Sequence, residues 1–225
     1  MTTALKLLEA ILPHVAFDGW SEAAFAAAAE DCGVSPEEAR ALCPGGASDL
    51  AELFHTEGDA AMVKALQSAD LSEMRFRDKV AHAVRLRLDA VTDKEAVRRG
   101  SALFALPHMA PIGSKLIWGT ADGIWTALGD TSEDVNYYTK RATLSAVYGA
   151  VVLFWLGDDT DDGQATTDFI ERRIENVMQF ESFKAAMNKN PLTKPFASAL
   201  ARLTSHIKAP STPPDDLPGS WSTPR

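Results

Sequence analysis

The spacing of apolar residues constrains the fold of this chain more than any other feature. Apolar side chains recur three and four positions apart almost throughout, strand-like alternation is absent, and Gly, Pro or Ser/Asp residues interrupt the pattern repeatedly. This pattern predicts an all-α protein of about ten helices, near residues 3–13, 20–32, 36–43, 48–68, 72–91, 93–105, 112–129, 133–156, 164–188 and 195–208. The longest apolar run, residues 142–156, falls short of the ~20 residues that span a bilayer, so we interpret it as a buried helix.

Composition and cysteine usage fit a globular protein with one continuous core. Hydrophobic residues make up 46% of the 225 residues and charged residues 24%. Cys32 and Cys43 lack the spacing of metal ligands, and the first residues do not resemble an export signal. We therefore expect a reducing, cytoplasmic environment.

Charge is distributed unevenly along the chain. The formal net charge is −9, and residues 1–63 carry all of this excess, with eleven acidic residues against Lys6 and Arg40. Residues 182–214 contain five basic residues and no acidic one. We therefore expect an acidic surface on the N-terminal part and a basic surface near the C-terminus.

Two short helices near the N-terminus have the pattern of a helix-turn-helix. Ser21 can cap the first helix, Gly33 allows the turn, and Ser35 with Pro36 starts the second helix. A DNA-reading helix needs basic surroundings to neutralise phosphates, whereas this one has Glu37 and Glu38 in its first turn and lies in an acidic region. The sequence predicts a helix-turn-helix without nucleic-acid binding.

Catalytic and metal-binding motifs are incomplete. Glu52 and His55 have the Glu-x-x-His spacing of a di-iron ligand pair, but no second copy exists. Asp158 begins a sequence similar to a calcium loop, but its twelfth position is Phe169 in place of the bidentate Glu. We interpret that segment as a turn whose carboxylates favour the next helix N-terminus. The chain is predicted to be non-catalytic, with no metal and no cofactor.

An amphipathic segment lies near the C-terminus. Its predicted membrane-facing residues are Phe196, Leu200, Leu203 and Ile207, flanked by Lys194, Arg202 and Lys208. An apolar stripe beside basic residues suits an anionic membrane surface, although a terminal helix packed on its own domain gives the same periodicity. We predict a peripheral protein on the cytoplasmic side of an inner membrane.

One segment resembles a known family. Residues 119–141, GTADGIWTALGDTSEDVNYYTKR, resemble the hallmark segment of the Coq-nine family of ubiquinone-biosynthesis proteins. The similarity extends to LPHVAFDGW at residues 12–20, to Leu106-Pro107 and to FIERRI at residues 169–174. The resemblance implies a TetR-regulator-like fold and an accessory protein that binds an isoprenoid lipid, a quinone intermediate or a phospholipid.

The resemblance also implies a partner and a site. The partner is a demethoxyubiquinone hydroxylase or an equivalent pathway enzyme, and the chain is expected to form a homodimer. The implied patch at the partner surface and lipid entrance consists of Asp122, Trp125, Asp134, Asn136, Tyr137, Tyr138 and Arg141. Tyr137 stands where some relatives have Trp.

These observations predict four regions and leave three functions open. The regions are a helix-turn-helix-like part at 1–68, a helical lipid-binding body at 69–190, an amphipathic membrane-surface helix at 191–208 and a disordered tail at 209–225. The leading hypothesis is a non-catalytic lipid-presenting protein with an apolar cavity between helices in residues 70–190. The alternatives are a TetR-like regulator that senses a lipid and a di-iron enzyme.

Overall fold

The computed structural model describes residues 3–189 and 208–210. Over these residues the chain is helical and contains no strand. The helices are α1 (Thr3–Asp18), α2 (Glu22–Asp31), α3 (Pro36–Leu42), α4 (Ala47–Ser68), α5 (Phe76–Asp89), α6 (Lys94–Phe104), α7 (Ala110–Ala127), α8 (Val135–Leu156) and α9 (Gln164–Lys189), with a 3₁₀ turn at Asp161–Gly163. The predicted all-α class is confirmed, and none of these described helices is long and apolar enough to cross a membrane.

Two helix boundaries differ from the prediction by four residues or more. We expected α1 to end at residue 13, but it continues through Pro13 to Asp18. Val15 is fully buried and extends the buried stripe of Leu7 and Ile11, so packing offsets the hydrogen bond that proline cannot donate. Helix α5 was expected from residue 72, but a turn precedes it, in which the Asp70 carboxylate accepts a hydrogen bond from the Ser72 amide at 3.0 Å.

Two clusters of buried side chains form the interior. The first joins α1 to α4 around Leu7, Ile11, Phe25 and Leu50. The second joins α4, α5, α7, α8 and α9, with Met62, Val84, Ile124, Val151 and Ile170 among its members. Helix α4 contributes to both clusters, so it connects the N-terminal helices to the body.

The C-terminal predictions lie largely outside the described residues. The predicted amphipathic helix falls on residues 191–207 and most of the predicted tail falls on 211–225, which the structure does not describe. Lys208, predicted as the end of the helix, is not helical. Ala209, predicted in the disordered tail, donates a backbone hydrogen bond to the Glu133 carbonyl at 2.9 Å, so the chain returns to the start of α8.

Candidate functional site: an apolar cavity and the adjoining α7–α8 surface

A mostly apolar cavity of about 340 Å³ lies among α4, α5, α6, α7 and α8. Its apolar lining includes Trp20, Phe54, Leu88, Phe104, Ile117, Val152 and Trp155. The volume is in the range of pockets that bind small organic ligands. The sequence placed such a cavity within residues 70–190, but Trp20, Phe54 and His55 also line it, so the boundary at residue 68 does not separate the cavity from the N-terminal part.

Trp20 joins the N-terminal helices to the cavity wall. Its indole N–H donates to the Ala96 carbonyl of α6 at 3.0 Å, and its ring packs against Phe54 with centroids 5.9 Å apart. Gly19 before it has φ +66°, a conformation that favours glycine. The Gly-Trp end of the segment 12–20 therefore has a structural role at the cavity wall.

A polar cluster lies beside this apolar lining. The Arg87 guanidinium pairs through Nε with the Asp59 carboxylate at 2.6 Å and donates through Nη2 to the His55 carbonyl at 3.0 Å. The Thr120 hydroxyl lies 2.9 Å from both Asp59 Oδ1 and His55 Nε2. Helices α4, α5 and α7 thus share one hydrogen-bonded group of residues, and His55, Arg87 and Tyr148 of α8 face the cavity.

Burial sets the protonation of this cluster. Burial lowers the pKa of His55 to about 4, against the opposing effect of Asp59, so its imidazole is neutral near pH 7. Burial raises the pKa of Tyr148 to about 12 and keeps its phenol protonated. The Asp59 and Arg87 charges are paired, and the cluster therefore has no net charge at neutral pH.

Sequence reasoning missed this cluster. No sequence motif marked Arg87, whose side chain is only 4% exposed. The spacing of apolar residues on α5 could have predicted its burial, because Arg87 lies next to Leu88 and three residues after Val84, which are both buried. His55 and Asp59 are four residues apart on α4, a spacing that places both on one helix face.

The predicted α7–α8 patch adjoins an ion cluster whose central side chains, Arg141 and Asp130, are almost fully buried. Arg141 pairs with Asp122 at 2.5 Å and with Asp130 at 3.0 Å, and Lys140 pairs with Asp130 at 2.6 Å. Burial raises the pKa of Asp130, but hydrogen bonds from Lys140, Ser132 and Arg141 outweigh that effect and bring the pKa to about 2. Asp130 lies in the segment 119–141 that carries the family resemblance, yet it was absent from the predicted patch.

Arg141 corrects one placement. We expected it on or beside the surface, but its side chain is 3% exposed. Its guanidinium carbon lies 3.5 Å from the centroid of the Tyr137 ring, whose hydroxyl donates to Asp122 at 3.4 Å. Arg141 therefore supports the half-buried Tyr137 from beneath and is not itself an exposed contact residue.

The other patch residues lie around the start of α8. Asp134 caps this helix by accepting from the Asn136 amide at 2.9 Å. The Trp125 indole donates to the Lys140 carbonyl at 3.2 Å and stacks on Phe76. Tyr138 donates to the Lys208 carbonyl at 3.1 Å. The structure brings the seven predicted residues together, and their role in binding stays a prediction.

A smaller cavity of about 230 Å³ adjoins this patch. Trp125 and Asn136 line it together with Val80, Leu144, Ile174 and the exposed Phe76. An apolar recess therefore lies beside the predicted lipid entrance, between α5, α7, α8 and α9.

The N-terminal helices form the predicted helix-turn-helix. Ser21 caps α2, Gly33 has φ +64°, and Ser35 forms a capping box with Glu38. Arg40 is engaged within the domain, because it pairs with Glu22, donates to the Pro44 carbonyl at 3.4 Å and lies over the Phe25 ring.

The two metal-like motifs have structural partners. Asp158 accepts hydrogen bonds from the Thr166 amide at 2.8 Å and from Thr160, so it caps the start of α9 as predicted, and its pKa is lowered by these bonds. His55 of the Glu-x-x-His pair bonds Thr120. Within residues 3–189 and 208–210, no group of three or more His, Cys, Asp or Glu side chains is placed to hold a metal ion.

Comparison with known proteins tests the predicted family resemblance. The COQ9 family profile matches residues 110–181, from α7 into α9. A Dictyostelium discoideum protein named probable ubiquinone biosynthesis protein coq9, mitochondrial, is 30% identical over an alignment of 189 residues that covers 80% of this chain and 61% of that protein. The predicted resemblance to the COQ9 family is therefore confirmed.

Two animal relatives support the same assignment. The human ubiquinone biosynthesis protein COQ9, mitochondrial, is 28% identical, over 77% of this chain and 57% of the human protein. The Drosophila melanogaster protein of that name is 30% identical, over 78% of this chain and 55% of its own length. The chain thus spans about three fifths or less of these curated COQ9 relatives.

A solved structure confirms the predicted TetR-like fold. A TetR transcriptional regulator from Nitrosomonas europaea ATCC 19718 matches with a TM-score of 0.65, over 78% of this chain and 97% of that chain. The sequence identity is 17%, so the similarity concerns the fold alone.

The predicted location is wrong. We expected a cytoplasmic protein on an inner membrane, whereas the COQ9 relatives are named mitochondrial. The expectation rested on cysteine usage and on the first residues of the given sequence, and neither feature distinguishes one reducing compartment from another.

Proposed function

We propose that this COQ9-family chain is a non-catalytic, lipid-binding accessory protein of ubiquinone biosynthesis. It binds an isoprenoid or quinone intermediate, or a phospholipid chain, and presents the intermediate to a membrane-associated hydroxylase. The names of its relatives supply the pathway. The observation that carries lipid binding is the apolar cavity of about 340 Å³ among α4 to α8.

Glycine positions in two helices allow a direct test of the cavity. A Cβ added at Gly149, which lines the cavity, would meet only the Ile117 side-chain end, at 4.0 Å. The variant Gly149→Leu therefore fills the cavity. Gly119→Leu is the matched control, because Gly119 is helical, exposed and outside the lining, and its added Cβ meets nothing within 4 Å.

Mass spectrometry of lipids that copurify with the protein measures the outcome. We expect a lipid in the unmodified chain and in Gly119→Leu, and at least a several-fold loss in Gly149→Leu at an unchanged melting temperature. The same lipid content in all three proteins contradicts a ligand in this cavity. Copurification of no lipid, together with no uptake of added quinone, contradicts the lipid-binding function.

The α7–α8 patch supports a hydroxylase contact in this proposal. Tyr137 and Tyr138 lie edge to face with ring centroids 5.2 Å apart, and Trp118 packs near Tyr138. Partly exposed aromatic side chains that are held in place by neighbours are typical interface anchors. The adjoining recess gives the same surface a route for a lipid.

The membrane and dimer parts of the proposal have separate support. The apolar stripe and basic residues of the segment 191–208 support binding to an anionic membrane surface. On α8, Ala142, Ala146 and Leu153 are exposed at helical spacing, which supports a homodimer through this helix. Arg40 is already paired with Glu22, and the N-terminal helices are acidic. Both features favour this accessory role over a DNA-binding regulator.

A further inference from the structure

The segment FIERRI at residues 169–174 contributes to a polar groove between α9 and the start of α5. The groove has a volume of about 480 Å³, and residues 171–174 of this segment line it. Its described lining carries four arginines and three acidic residues, which are Arg75, Arg77, Arg172, Arg173, Asp78, Glu171 and Glu175. These residues give the groove one net positive charge, in a chain whose total charge is negative.

Two of the four arginines have acidic partners. Arg75 of the turn before α5 pairs with Asp78 at 2.7 Å. Arg77 pairs with Glu175 of α9 at 2.6 Å, so this pair joins the two helices across the groove. The two arginines of α9 have no ion-pair partner within the part of the chain that the structure describes, and they are therefore the groups that an anion can bind.

Phe169 positions both of these α9 arginines. Its ring stacks on Phe154 with centroids 4.3 Å apart. The guanidinium carbons of Arg172 and Arg173 lie 5.9 and 5.1 Å from the centroid of the Phe169 ring. Arg173 Nε is buried and has no hydrogen-bond acceptor among the described residues. Guanidinium groups held in this way suit a phosphate group, whose oxygens accept their paired N–H donors.

The groove opens beside the apolar recess of about 230 Å³. Arg77 and Ile174 line both spaces, and Val80, Leu144 and Val147 give the recess its apolar wall. A ligand that occupies both spaces needs an anionic group and an apolar chain. Neither space shares a lining residue with the larger cavity of about 340 Å³, so the two together form a separate site.

The segment proposed to bind the membrane ends near this recess. Tyr138 donates a hydrogen bond to the carbonyl of Lys208, the last residue of that segment. Asn136, in the same turn of α8 as Tyr138, lines the recess. A membrane that the segment contacts would therefore lie close to the recess, and phospholipids are the amphiphiles that such a surface supplies.

We propose that the groove and the recess bind one phospholipid with a singly charged phosphodiester head group. Arg172 and Arg173 bind the phosphate oxygens, and an acyl chain lies in the recess past Ile174. One net positive charge balances one negative charge, whereas the acidic residues of the groove repel a head group that carries more. This inference goes beyond the proposed function, because it assigns a second lipid site outside the larger cavity.

Calorimetry on the full chain near pH 7 with short-chain probes tests this inference. The probes are dihexanoyl phosphatidylglycerol, dihexanoyl phosphatidylcholine, which has no net charge, and inorganic phosphate, which has no chain. We expect phosphatidylglycerol to bind about tenfold tighter than the other two, because it alone combines the net negative charge with apolar chains. Glu171→Gln removes an exposed acid from the groove and should tighten this binding several-fold, a gain that misfolding cannot produce.

Two double variants with the same loss of charge complete the test. Arg75→Gln with Arg172→Gln removes two exposed cations from the groove and should weaken phosphatidylglycerol binding about tenfold. Lys64→Gln with Lys115→Gln removes two exposed cations outside the groove and the recess, and binding should stay within about twofold because solvent screens distant charges.

Four results would overturn the proposed site. Equal losses in the two double variants, or no gain in Glu171→Gln, would show that the groove does not bind the head group. Equal binding of the two phospholipids would exclude recognition of the charge. Inorganic phosphate that binds as tightly as phosphatidylglycerol would exclude a lipid as the ligand. The substituted residues do not line the larger cavity, so each of these failures leaves the proposed function standing.

Discussion

Arg87 has a buried positive charge, and its stability depends on one carboxylate. Its guanidinium is almost fully buried on α5 and depends on Asp59 of α4 for its counter-charge. Asp59→Asn should therefore lower the free energy of unfolding by about 3 to 5 kcal/mol, because a buried charge is left unpaired. Urea denaturation followed by circular dichroism measures this change.

The same helix carries the control for that prediction. Arg85 pairs with Asp89 at 3.0 Å, but both side chains are substantially exposed. Asp89→Asn should cost less than about 1 kcal/mol, because solvent screens an exposed pair. Equal effects of the two substitutions would show that the Asp59–Arg87 pair is not buried in solution.

His55 gives the fold a dependence on pH. Its folded-state pKa of about 4 lies below the ordinary value of 6.5, so the unfolded chain binds the proton more readily. The contribution of His55 is fully present above pH 6.5 and should fall by roughly 2 to 3 kcal/mol as pH drops to 4. Denaturation at a series of pH values measures this slope, and His55→Gln should flatten it. An unchanged slope in the variant would mean that other groups cause it.

Helix α8 shows what the sequence can and cannot predict. Its apolar period, its Asp134 cap and its approximate bounds follow from local pattern, and the same holds for the capping of α2, α3 and α9. The burial of Arg141 does not follow, because it requires Asp122 and Asp130 from other parts of the chain. Contacts between distant charged residues have no local signature, so the resemblance named residues that lie close together but did not predict the burial of Arg141.

Tyr137, near the start of α8, allows a test of the proposed partner surface. Tyr137→Ala should weaken binding of the hydroxylase strongly while leaving the copurifying lipid and the melting temperature nearly unchanged, because the ring is half-buried at the surface. Tyr137→Phe should retain binding, since the hydroxyl makes only a 3.4 Å contact with Asp122. Pull-down yield and thermal melting are compared for both variants. A sharply lower melting temperature for Tyr137→Ala would assign the ring to the core.

The C-terminal segment allows a charge-matched test of membrane binding. Phe196→Asp with Leu200→Asp places two carboxylates in the predicted apolar stripe, and flotation with anionic liposomes should fall several-fold or more. Ser198→Asp with Ser205→Asp adds the same charge outside the predicted apolar stripe and should reduce flotation much less. Equal losses in the two variants would indicate that only net charge matters. Unchanged flotation of the first variant would contradict a membrane-facing stripe.

On the scale of the whole molecule, a TetR-like fold is combined with a charge distribution unsuited to DNA. Residues 1–63 carry eleven acidic residues and two basic ones, and Arg40 already pairs with Glu22. Because phosphate neutralisation dominates DNA affinity, we expect no sequence-dependent duplex binding even at low salt. A gel-shift assay over a random-sequence duplex library, repeated at rising salt, measures this.

A charge-reversal variant provides the control for this assay. Glu37 and Glu38 are exposed at the start of α3, and Glu37→Lys with Glu38→Lys should gain weak binding that disappears as salt increases. Tight, sequence-selective binding by the unmodified chain would instead identify a regulator.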